Sequence, residues 1–152
     1  MTQILCAQKL WRAVRRWPLA EPRCPEGTAA LTTWAGTRFR EDDLDLVIAV
    51  NAATLLTVVV PVGDAASFAL RFASAISEVV EDLGVTATAG ECFTDGAISM
   101  HVLRDPSLRR VLGVLETYCG IECCYHADLR VIQRNLNDAP LPPVHGATEH
   151  CA

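Results

Sequence analysis

The residues best equipped for chemistry stand close together in Cys119-Gly-Ile-Glu-Cys123-Cys124-Tyr-His126. On a continuous helix Cys119, Cys123 and His126 fall at i, i+4 and i+7, which is one face. Thiolate and imidazole are the ligands zinc prefers, and a fourth could come from Cys92, His145, His150 or Cys151. Against zinc, the sequence has no paired Cys-x-x-Cys knuckles, and free cysteine commonly serves as a small packed core residue. A third reading is redox response at the vicinal pair Cys123-Cys124.

Other constellations are thinner. Cys92 precedes the strand that carries His101, so a thiol–imidazole pair is conceivable, with an exposed strand histidine as the plain alternative. The acidic run Glu41-Asp42-Asp43-x-Asp45 offers oxygens to a hard cation. It lacks the glycine and terminal glutamate of a calcium loop, which favours a solvated turn. Lys9, Arg12, Arg15 and Arg16, beside Trp11 and Trp17, form the best candidate contact for a polyanion. Arg109 and Arg110 open a helix, where the dipole favours anions; they either attend a phosphate or carboxylate at the free amides or pair with Asp105 and Glu116, and pairing is the expected reading. The chain has no GxGxxG, Walker loop, GxSxG or HExxH, so the common nucleotide enzymes and zincins find no support.

The totals bound these readings. At 152 residues and 51% apolar the chain can bury a core without staples. A net charge of −5 argues against a nucleic-acid binder in general, although a local basic patch is compatible with it. Seven cysteines cannot all pair within one chain. The opening residues lack the pattern of an export leader, and no apolar run reaches a membrane span. A cytoplasmic protein with free thiols is expected, and no membrane partner.

The elements that must position these groups follow from periodicity. Thr2–Cys6 reads as a short strand and Gln8–Trp17 as a helix stopped by Pro18. Leu44–Asn51 and Thr54–Val62 are nearly all aliphatic and are separated by Ala52-Ala53, which predicts a tight antiparallel hairpin. With Leu31–Arg40 before it, a three-stranded meander spans about 33–62. Asp64 and Gly84 bracket a one-sided helix whose Ala65, Phe68, Phe72, Ala75 or Ile76, Val79 and Leu83 are expected to face inward. Val85–Phe93 holds a possible short strand, and residues 97–103 alternate like an edge strand. Asp105-Pro106 starts a helix that runs to Gly120 or on to about His126, and Asp128 caps a last helix ending at Asn137. The expected architecture is α+β, an antiparallel sheet with helices on one face. Residues 1–137 form one domain, and 138–152 a loosely held tail.

The order of short motifs resembles a family of small bacterial proteins catalogued as a domain of unknown function. The matching residues are Gln8-Lys9-Leu10, Trp34-Ala35, Asn51-x-x-Thr54-Leu55, Pro61, Arg110-Val111-Leu112-Gly113 and Leu136-Asn137-x-x-Pro140. Leu108-Arg109-Arg110 and the cysteine-rich segment depart from that pattern. The resemblance implies a bacterial α+β protein and carries no catalytic residues. A complete core signal without a catalytic set favours a non-enzymatic interaction or accessory module that works through a protein partner or self-association. The alternatives are a zinc-binding or enzymatic protein centred on Cys119, Cys123 and His126, and nucleic-acid binding through Lys9–Arg16.

Overall fold

The computed structural model describes residues 2–22, 32–84 and 97–144. In chain order the described elements are β1 (Thr2–Cys6), α1 (Gln8–Val14), β2 (Thr33–Glu41), β3 (Leu44–Asn51), β4 (Thr57–Pro61), α2 (Ala65–Leu83), β5 (Ile98–Val102), α3 (Pro106–Tyr125) and α4 (Leu129–Asn137). The expected strand in 85–93 lies outside the described residues.

The five strands form one sheet in the order β4-β3-β2-β1-β5. The meander β2-β3-β4 is antiparallel as expected, but β1 pairs parallel to both β2 and β5, so the sheet is mixed rather than antiparallel. Parallel neighbours need a crossover between them, and α1 lies between β1 and β2 in the chain.

Helices cover both faces, not one. On one face Ile4, Trp34, Val47, Ala49, Val58 and Val60 pack with Leu10 and Val14 of α1 and with Phe68, Phe72, Ile76 and Val79 of α2. The alternate residues Leu5, Ala35, Leu46, Ile48, Val50 and Val59 pack with Leu108, Val111, Leu115 and Cys119 of α3 and with Ile132 and Leu136 of α4. A strand buried on both sides loses its polar alternation, which is why the hairpin sequence is aliphatic almost throughout. Val58 shares this core with Phe68 and Phe72 of α2, and Trp34 is set edge-on to Phe72 at 5.2 Å between centroids.

Local details depart from expectation where backbone geometry intervenes. A two-residue hairpin at Ala52-Ala53 would require positive φ at Ala52 or at both alanines, which their Cβ atoms disfavour. The chain instead spreads the turn to Leu55, which alone takes φ 62°, and Asn51 Oδ1 accepts from the amides of Ala53 and Thr54. Helix α1 stops at Val14, one turn before Pro18. The caps fall as read: Asp64, Asp105 and Asp128 accept first-turn amides, and Gly84 ends α2 at φ 70°.

Both sheet borders are closed. Beside β5, Leu19 O accepts from Met100 N and Glu21 N donates to Met100 O. Beside β4, the amide side chains of α4 take the outward backbone groups: Thr57 N donates to Asn137 Oδ1 at 2.8 Å and Val59 N to Gln133 Oε1 at 2.9 Å. The next outward position is Pro61, which has no N–H to satisfy.

Candidate functional site

Helix α3 continues through Gly120 and ends at Tyr125, and His126 leaves it with extended backbone (φ −135°, ψ 139°). Of the three proposed ligands only two come together. Cys119 Sγ and Cys123 Sγ are 4.0 Å apart, whereas His126 turns to Glu122, its Nε2 3.6 Å from Oε2. Cys119 is buried and Cys123 half-buried, and burial is the main force pushing both thiols up. Cys124 points elsewhere, to Gly120 O at 3.4 Å, so the close sulfur pair is 119–123 and not the vicinal one. Among the described residues no three His, Cys, Asp or Glu side chains gather as a metal-holding group. The further candidates Cys92, His145, His150 and Cys151 lie outside the described residues.

His101 is not an exposed strand residue. It is 1% exposed, because β5 is flanked by β1 on one side and by residues 19–21 on the other, and its Nε2 lies 2.8 Å from Ser99 Oγ. In the acidic run, Asp45 is committed to Arg38 through two bonds of 2.7 and 2.8 Å. That pairing first of all holds its carboxyl below the ordinary range.

The basic strip divides. Lys9 pairs with Glu116 on α3 at 2.8 Å, and Glu116 also accepts the Thr37 hydroxyl at 2.7 Å. Arg12, on α1, and Arg15 and Arg16, in the turn after it, are exposed. The pairing expected for Arg109 is replaced by a bond from Nη2 to Leu103 O at 3.1 Å, while Asp105 caps Ser107 and Leu108 and Glu116 serves Lys9 and Thr37.

That replacement places Arg109 at a cavity of about 420 Å³ lined by Gln8, Trp11, Val102, Leu103 and Arg109. The cavity sits where β1 and β5 end side by side and their chains leave for opposite faces, β1 into α1 and β5 into α3. Nothing local in the sequence joins Gln8 to Arg109; the one signal available was a pair of arginines where a helix favours acids.

A second cavity, of about 400 Å³, lies under the end of α3, between Leu44, Cys123, Cys124, Tyr125, His126, Ala127 and Ile132. Tyr125 at its rim is 79% exposed, and Ile121, one turn back, is 51% exposed. The exposed Glu41, Asp42 and Asp43 turn adjoins it through Leu44.

Taken together, these features define an α+β protein with a five-stranded mixed sheet between two helical layers and two solvent-facing cavities served by α3. The chain belongs to the domain of unknown function family DUF6933, whose sequence profile matches residues 3–148. No curated protein and no solved structure gives a match. No helix among the described residues is long and apolar enough to cross a membrane.

Proposed function

We propose that this domain is a non-enzymatic binding module that engages a protein partner through the Ile121–Tyr125 end of α3. The observation that carries the reading is the exposure of these two large side chains one turn apart, with Tyr125 lining a cavity. Tyrosine is a frequent anchor in protein contacts because it combines large area with few rotors. Glu122 and the Glu41–Asp43 turn give the rim negative charge, so the partner fits best as an apolar side chain flanked by Lys or Arg. The helix does not complement its own dipole here, with one acid, Glu122, and no base in its last turn, which is consistent with charge placed for recognition.

A photo-crosslinking residue at position 125 in producing cells tests this. One discrete adduct that disappears with Ile121→Asp is expected, whereas the same bands from a probe at Glu78 would reject the surface. An adduct of twice the chain's mass would replace the foreign partner by a second copy.

A second reading concerns the thiols. A tetrahedral zinc with bonds of about 2.3 Å brings its sulfurs to roughly 3.8 Å of each other, close to the spacing of Cys119 and Cys123. Both thiols must lose protons to bind, so loading should rise with pH. Metal analysis of untagged protein decides it: no stoichiometric metal, and melting unchanged by chelator, would remove the reading.

A further inference from the structure

The crevice between β1 and β5 is separate from the α3 end discussed above, since Arg109 and Tyr125 are sixteen residues apart on one helix, about 24 Å. Open sheets bind ligands at the carboxyl ends of neighbouring parallel strands whose connections diverge to opposite faces, because the diverging chains leave a gap there. Strands β1 and β5 meet that condition, and a volume of about 420 Å³ lies in the small-molecule range.

The lining is specific. Val102 and Leu103 give an apolar floor, Trp11 a half-buried indole, Gln8 an exposed amide with both donors and an acceptor, and Arg109 a guanidinium. Arg109 spends Nη2 on Leu103 O, which fixes the group at the cavity. Among the described residues its other N–H groups make no further bond, and Gln8 makes none. The first amides of α3 are already taken by Asp105, so an anion here would rest on the side chain of Arg109 and not on the helix terminus.

The two segments that supply the lining are rich in base. Residues 7–16 and 102–116 hold seven of the chain's thirteen Lys and Arg but two of its eighteen Asp and Glu, although Lys9 is paired with Glu116. In a protein of net charge −5 these segments carry a local excess of positive charge.

We infer that the crevice binds a small ligand that joins a flat heteroaromatic ring to a phosphate, a mononucleotide in chemical class. The ring lies against Trp11, its polar edge meets the Gln8 amide, and the phosphate takes the fork of Arg109.

Calorimetric titration with the four 5′-ribonucleoside monophosphates, inorganic phosphate and a twelve-nucleotide single strand tests the assignment. At least one monophosphate should bind about tenfold or more tightly than phosphate alone, the ring adding a stacking contribution. Arg109→Ala should weaken it about 10- to 100-fold, with Arg109→Lys failing to restore the bidentate contact. Gln8→Ala should change the preference among bases. Arg109 and Gln8 are exposed, so these variants keep the fold, and unchanged melting checks that. The inference fails if no monophosphate binds at about 5 mM. It also fails if binding ignores Arg109→Ala, or if only the single strand binds and does so through Arg12, Arg15 and Arg16. None of these results bears on crosslinking at Tyr125, so the two readings stand or fall apart.

Discussion

The two ends of the sheet treat their polar groups in opposite ways. At the β4 border Gln133 and Asn137 are bonded within the fold through both ends of their amides: Gln133 accepts from Val59 N and donates to Ala75 O at 3.2 Å, and Asn137 accepts from Thr57 N and donates to Thr57 O and Gln133 O. At the β1–β5 crevice Gln8 is exposed beside an arginine that uses one donor. Polar groups whose valences close within the fold explain themselves as structure. Those held at a cavity with valences open are where a ligand can add binding energy.

The contrast is broken most directly at Gln133, which is 1% exposed. Gln133→Leu keeps the volume but strands the Val59 N–H, while the Ala75 carbonyl, inside α2, keeps its helical partner. It should destabilise the protein by about 1–3 kcal/mol in denaturant unfolding. Arg109→Leu, at an exposed position of the crevice, should change stability by about 0.5 kcal/mol or less. Equal losses at the two sites would show that the crevice residues are structural after all.

The same contrast explains what the sequence made legible. The caps Asp64, Asp105 and Asp128 and the stop at Gly84 act on amides or turns within a few residues, so their chemistry is visible in a short window. The sealing of β4 is not local: Asn137 serves Thr57, and only coordinates bring them together. The aliphatic run Leu46–Val50 was visible, but its meaning was double burial rather than a hairpin with one covered face. Parallel pairing of Thr2 with Ile98 leaves no mark in either strand's composition, so the mixed sheet and its crevice could not be read. The thiol cluster is legible as spacing, and an end at Tyr125 agrees with the reading that carries the helix to about His126. The departure of His126 from the face of Cys119 and Cys123 is not legible, because it rests on the extended backbone of the residue that ends the helix.

A smaller effect, gated by pH, separates the helix layers. Asp82 near the end of α2 binds Arg130 in the first turn of α4 through contacts of 2.8 and 3.0 Å, and that bonding holds its carboxyl below the ordinary range. A depressed carboxyl stabilises the fold above its unfolded pKa, about 3.9, and the contribution disappears as pH falls through the folded value. Asp82→Asn should therefore melt below the native chain at pH 7, with the gap closing below about pH 4. A gap of constant size down to strongly acid pH would mean that the aspartate acts by shape and not by charge. No such acid dependence is expected from Gln133, which has no proton to gain.

The smallest expected effect bears on the crevice itself. Arg110 is exposed in the opening turns of α3, next to Arg109, where the helix dipole disfavours a cation. Arg110→Glu, just past the first turn of α3, should raise stability by about 0.3 kcal/mol in thermal or denaturant unfolding. The same change should weaken monophosphate binding severalfold at low salt, and less as salt screens the field. Opposite signs from one substitution would mean that this end of α3 carries its arginines at the expense of the helix, as a recognition surface does. Were stability and binding to fall together, Arg110 would instead be part of what holds α3 in place, and the distinction between the two ends of the sheet would lose its clearest support.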